Sequence, residues 1–196
     1  MTYLPYSLII IWARLKVKKN LPISVTLFCK VNYHEKMDVV IKMKFEYGQK
    51  IKELREKENV TQKDLAEAIG LNRSSINQFE NQYDIIPIKR LNQIANFFNV
   101  SIDYLFGLTE IKQYKNNNPE INFELSSKRL KEWRKSKKLT QQKLGEKLNV
   151  SSFVIIHHEK QRTVLNTPFL YELCKKYHIS ADYLLGKIDE PQELSW

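Results

Sequence analysis

Cysteine is scarce, with only Cys29 and Cys174 in 196 residues. Two cysteines build neither a disulfide framework nor a metal-ligand pattern, and they fit a reduced, cytoplasmic setting. The longest apolar run, Leu8 to Ala13, falls far short of the ~20 residues needed to cross a bilayer. No positive stretch precedes it, which argues against a secretory leader. Glycine is also rare, at five residues, and none forms a phosphate-cradling loop. No serine or cysteine sits in a pattern that reveals a nucleophile and its base. His157 and His158 are adjacent, so on a helix they face opposite ways and cannot share a metal ion. These absences point to a non-enzymatic protein with no cofactor. What the chain does carry is a net charge of +10. The basic excess sits in residues 1–44 and 123–187, while the stretch between them is near neutral and the tail from Ile188 is acidic. Such a balance favours a polyanionic partner.

The chain also repeats itself. Thr61-Gln62, Leu65-Ala66 and Glu80 return, without a gap, as Thr140-Gln141, Leu144-Gly145 and Glu159. Ser101-Ile102-Asp103-Tyr104-Leu105 is answered by Ser180-Ala181-Asp182-Tyr183-Leu184. A repeat of this length is too long for a solenoid unit and reads as two small domains of one kind. The expected division is an N-terminal extension (1–42), a first domain (43–108), a linker (109–122), a second domain (123–187) and an acidic tail (188–196).

In the extension, Ile23, Val25, Leu27, Cys29, Val31 and Tyr33 alternate at period two, as in a strand. A lone hairpin is marginal in water, and a competing reading starts the functional protein near Met43. The first domain reads as five short helices. Tyr47, Ile51 and Leu54 give the first an apolar stripe. The second opens at Thr61, with Asp64 completing a weak capping box. It ends at Gly70, where the left-handed conformation is easiest; Asn149 takes that role in the second copy. The third runs from about Asn72 to Asn81 with Ile76 and Phe79 inward. The fourth follows Pro87 and buries Leu91, Ile94, Ala95 and Phe98. Ser101 caps the last. In the second copy Thr167-Pro168 supplies a cap and a first-turn proline. The linker contains Asn116-Asn117-Asn118-Pro119, a polar break read as flexible. Fourteen residues reach roughly 46–50 Å, enough for both domains to enter adjacent major grooves about 34 Å apart.

A short helix, a tight turn and a second helix with a polar outer face is the helix-turn-helix plan. Arg55, Thr61-Gln62, Leu65-Ala66, Gly70, Ile76, Glu80-Asn81 and Ser101 to Leu105 closely resemble the phage-repressor (Cro/repressor, or xenobiotic response element, XRE) family. The resemblance implies an all-α fold: two tandem five-helix lambda-repressor-like domains on a flexible linker. It also implies sequence-specific binding of double-stranded DNA in transcriptional control, as a repressor occupying a promoter. Arg73, Ser74, Asn77 and Gln78 point away from Ile76 and Phe79. Arginine can pair with guanine, and glutamine or asparagine with adenine, so these four are the candidate base contacts. Gln62, at the start of the second helix, is a candidate phosphate contact; Asn81, Gln141 and Lys160 complete that set. Arg55 with Glu80, and Arg134 with Glu159, are implied to be structural ion pairs.

The second copy departs at the reading face, where Ser152, Phe153, Ile156 and His157 replace the four polar residues. Yet it carries the basic run Lys128, Arg129, Lys131, Arg134, Lys135, Lys137 and Lys138. The expectation is a division of labour, with the first domain reading sequence and the second attracting phosphate. The rival reading is a protein-interaction adaptor, antitoxin-like or a dimerisation module, that meets a protein partner through Phe153, Val154 and Ile156. A homodimer fits either reading.

Overall fold

The computed structural model describes residues 46–192 and 194; Cys29 and the period-two stretch of residues 1–42 lie outside them. The first copy folds as α1 (Glu46–Lys57), α2 (Gln62–Ala68), α3 (Arg73–Glu80), α4 (Ile88–Phe97) and α5 (Ile102–Leu105). The second gives α6 (Phe123–Ser136), α7 (Gln141–Lys147), α8 (Ser152–Glu159), α9 (Thr167–Tyr177) and α10 (Ala181–Leu184). From the second helix to the fifth, each start recurs in the second copy at an offset of 79.

Local chemistry sets the helix ends. Thr61 Oγ1 accepts from the Asp64 amide, and Asp64 Oδ2 accepts in return from the Thr61 amide, a closed capping box. In the second copy Lys143 replaces the aspartate, so Thr140 caps alone. Gly70 and Asn149 both adopt left-handed backbone, with φ of 65° and 52°. The turn is therefore the same in both copies, with different residues tolerating one demand. Gly145 serves close approach instead, because a Cβ there would lie 2.7 Å from the Val150 carbonyl oxygen.

The cores fill as the apolar spacing dictates. Ile51, Leu65, Ile76, Leu91 and Ile94 are buried in the first copy; Leu130, Leu144, Ile155, Leu170 and Cys174 are buried in the second. Each such aliphatic side chain contributes about 1.5–3 kcal/mol by leaving water. His158, at the position of Phe79, is buried too. Its ring is held between the Ser126 hydroxyl at 3.2 Å and the Thr163 carbonyl at 3.1 Å. Burial lowers its pKa, so the ring stays neutral, with Nδ1–H donating to Thr163 and Nε2 accepting from Ser126.

Three expectations need correction. Phe98 is only half-buried, because α4 ends at Phe97 and leaves it at the C-cap, edge-on to that ring. The cap of α9 is Asn166 rather than Thr167. Thr167 is buried one residue inside the helix, and its hydroxyl donates to the Ile86 carbonyl of the first copy.

The third correction is larger: residues 109–122 are no free tether. The Ser101 amide donates to the Lys112 carbonyl at 2.5 Å. Tyr114 is buried, with its hydroxyl donating to Asp103 at 3.0 Å. The Pro119 carbonyl accepts from the Asn92 and Asn96 side-chain amides, each at 2.8 Å. On the other side, the Asn118 and Asn122 amides donate to the Lys187 and Leu185 carbonyls. Backbone polar groups that find partners lose the freedom their composition suggests. The asparagine run marks a turn, with Asn116 at φ 59°. Phe45–Trp196 accordingly forms one unit.

Candidate nucleic-acid interface

The helix-turn-helix of the first copy is α2, the turn at Gly70, and α3. α3 buries Ile76, Phe79 and Glu80, which fixes its rotation. That rotation leaves Arg73, Ser74, Asn77 and Gln78 exposed together on the opposite face. Asn72 caps the helix by accepting from the Ser75 amide at 2.8 Å. At the other end the Asn81 side chain donates to the Asn77 carbonyl at 2.8 Å. The four candidate base-reading side chains therefore sit on a helix held at both ends.

Behind this face lies the ion pair. Arg55 Nε and Nη2 donate to the two Glu80 oxygens at 2.6 and 3.0 Å, and Nη1 donates to the Val60 carbonyl at 3.0 Å. The hydrogen bond to Glu80 raises the Arg55 pKa further, so the guanidinium stays charged. Arg134 repeats the arrangement with Glu159 at 2.6 and 2.7 Å and with the Leu139 carbonyl at 2.7 Å. Two-pronged pairs of this type fix orientation as well as charge. Each ties the first helix of its copy to the third.

Gln62 is bound into the same network. Its side-chain amide donates to Glu80 at 2.8 Å, as Gln141 donates to Glu159 at 2.7 Å. One amide hydrogen of each is thus committed to the glutamate, and the amide has a second to donate. The glutamate orients the glutamine that would face the backbone.

The second copy presents a different surface on the same frame. Phe153 is 61% exposed and stacks on His157 with ring centres 3.8 Å apart. Val154 and Ile156 are half-buried. The same copy carries a basic hollow lined by Lys131, Lys135, Lys138, Gln141 and Lys160 together with the Arg134–Glu159 pair. Glu56, Asn59 and Asn81 hold the first-copy positions of Lys135, Lys138 and Lys160, so the equivalent surface there is far less positive. The hollow brings together Gln141 and Lys160, which the sequence named separately. Spacing alone did not reveal that Lys131, Lys135 and Lys138 converge on them from α6 and the turn after it.

Sequence reading missed the role of a second group, Asp103 and Asp182. Both are fully buried and lie against each other where α5 meets α10. Asp103 is pushed up to about 8, first by burial and then by the neighbouring Asp182 carboxylate. Asp182 is also raised by burial, although Lys187 opposes the shift. The pair therefore holds a proton near neutral pH. Asp182 Oδ1 has no hydrogen-bond partner among the described residues. The available signal was an aspartate at the same register inside two otherwise apolar segments.

No helix among the described residues is long and apolar enough to cross a membrane. Known proteins share part of this sequence. No solved structure matches. The chain is 33% identical over 75 residues to the HTH-type transcriptional regulator ImmR of Bacillus subtilis (strain 168), covering 38% of this chain and 58% of that protein. It is 36% identical over 64 residues to the uncharacterized HTH-type transcriptional regulator YobD of the same organism, covering 33% of this chain and 57% of that one. The chain thus spans a little over half the length of these relatives. Residues 51–105, inside the first copy, match the helix-turn-helix family model.

Proposed function

We propose that this chain is a sequence-specific double-stranded DNA-binding repressor built from two tandem helix-turn-helix copies of unequal role. α3 of the first copy enters the major groove, and Arg73, Ser74, Asn77 and Gln78 read base edges there. Gln62 and Asn81 contact phosphates on that side; Gln141 and Lys160 do so on the second copy. The observation that carries this reading is the shared exposure of four hydrogen-bonding side chains on a helix whose other face is locked in the core. Arg55–Glu80 and Arg134–Glu159 act through the fold. Charge and readout divide between the copies: the basic hollow supplies a polyanion contact that the first copy lacks.

The test separates the two roles. Arg73→Ala combined with Gln78→Ala removes two potential two-pronged base contacts, each worth ~1–3 kcal/mol of discrimination. Preference for the selected site over random duplex should fall at least about tenfold, with non-specific binding retained. Lys131→Ala, Lys135→Ala and Lys138→Ala together should instead weaken binding to every sequence. They should also reduce the slope of log affinity against log salt by ~0.9 for each phosphate no longer neutralised. Loss of selectivity in the lysine variant, with none in the first-copy variant, would reverse the assignment.

A second reading draws on the exposure of Phe153: an adaptor that docks a protein through Phe153, Val154 and Ile156. Weak duplex binding by the full chain with no dependence on salt would favour it over the repressor.

A further inference from the structure

The contact between the two copies has two-fold character. Asp103 Oδ1 accepts from the Ala181 amide at 2.6 Å, and Asp182 Oδ2 accepts from the Asp103 amide at 2.8 Å. Each copy's fifth helix thus donates a first-turn amide to the aspartate of the other. Equivalent aspartates that each accept from the other copy's fifth helix give the contact the character of an isologous interface, the kind that joins two identical subunits. Here both halves belong to one chain.

The rest of the interface closes around that pair. Tyr171 of the second copy packs edge-on against Tyr47 and Phe106 of the first, with ring centres 5.8 and 5.3 Å away. The ammonium of Lys187, itself buried, donates to Asn92 at 2.5 Å. Among the described residues, no hydrogen bond between the copies involves α2, α3, α7 or α8. Both helix-turn-helix faces are therefore left open while the surface joining the copies is consumed.

We propose that the chain is a single-chain pseudo-dimer. The second copy occupies in cis the place that a second molecule would fill, and one chain engages two adjacent half-sites of unequal sequence. This rests on the DNA-binding reading above. One half-site is read through hydrogen bonds from α3. The other is held by phosphate contacts at the basic hollow, with Phe153 and Ile156 facing thymine methyl groups rather than base hydrogen-bonding edges. Because the copies are joined, the second contact is intramolecular, and binding does not depend on assembling a dimer first. Because the linker is tied to both copies, the distance between the contacts is fixed rather than spanned by a loose tether.

The experiment uses the full chain and a duplex of about 30 base pairs carrying the site selected from a random pool, long enough for two major-groove entries one turn apart. Sedimentation should give a free mass of 23.3 kDa and one chain per duplex. Hydroxyl-radical protection should extend over two consecutive turns. Inserting about five base pairs between the protected halves turns one away by half a helical turn, and affinity should fall tenfold or more. Two chains per duplex, protection of a single turn, or indifference to the insertion would each overturn the pseudo-dimer while leaving the DNA-binding reading intact. Failure to select any sequence would overturn that reading itself, and this inference with it.

Discussion

The two copies share a scaffold to the level of single hydrogen bonds and share almost nothing on the surface that would face DNA. Arg55–Glu80–Gln62 and Arg134–Glu159–Gln141 are the same three-residue network, with matching distances. On the outer face of the third helix the copies diverge. α3 presents Arg73, Ser74, Asn77 and Gln78, whereas α8 presents Phe153 stacked on His157. The difference teaches that the ion-pair network belongs to the fold, because it is kept where the outer face changes, and it fits the proposal that the outer face serves recognition.

The largest expected effect comes from breaking the shared part. Glu80→Ala leaves Arg55 without its buried anionic partner and Gln62 without its acceptor; Glu159→Ala does the same to Arg134 and Gln141. Each should cost about 3 kcal/mol, a drop in melting temperature of roughly 6–12 °C for a chain of this size. Since the copies form one unit, both variants should melt in one cooperative step by calorimetry. A separate early transition in Glu159→Ala, with the remainder of the protein unaffected, would show that the copies fold independently.

A smaller effect probes the join. Asp103 is faced by Asp182, Tyr114 and Ser180, with buried Cys174 nearby, while Asp182 is also faced by Lys187. The Asp103 carboxyl titrates at about 8 in the fold, against ~3.9 in an unfolded chain. The folded state therefore binds the extra proton between these values. Its stabilising effect is complete below about pH 4 and is lost as pH rises through about 8. Stability in urea should fall with pH across neutrality, at up to ~1.4 kcal/mol per pH unit where the slope is steepest. Asp103→Asn, which keeps an acceptor for Ala181 and cannot ionise, should flatten that slope. An unchanged slope would place the titrating group elsewhere.

Much of the fold was legible because it rests on local rules. Gly70 and Asn149 announce one left-handed turn through two tolerant residues, and Thr61 with Asp64 writes its capping box three residues apart. The outer face of α3 followed from the inward placement of Ile76 and Phe79. What escaped was non-local. Nothing near Asp103 in sequence shows that its partner lies 79 residues away, and nothing in Asn116-Asn117-Asn118-Pro119 shows that neighbouring linker groups are bonded on both sides. Thr167 read as a cap for the same reason, since its true partner, the Ile86 carbonyl, belongs to the other copy.

The most direct test of unequal readers on equal scaffolds is a graft followed by site selection. Ser152→Arg, Phe153→Ser, Ile156→Asn and His157→Gln together place the first copy's four polar side chains on α8. From a random duplex pool, the natural chain should select a site with one sharply defined half and one loosely defined half. The grafted chain should select an inverted repeat whose halves are both sharp and share one sequence. If both proteins select the same site, the outer face of α8 does not meet DNA, and the joined copies are not a pair of readers.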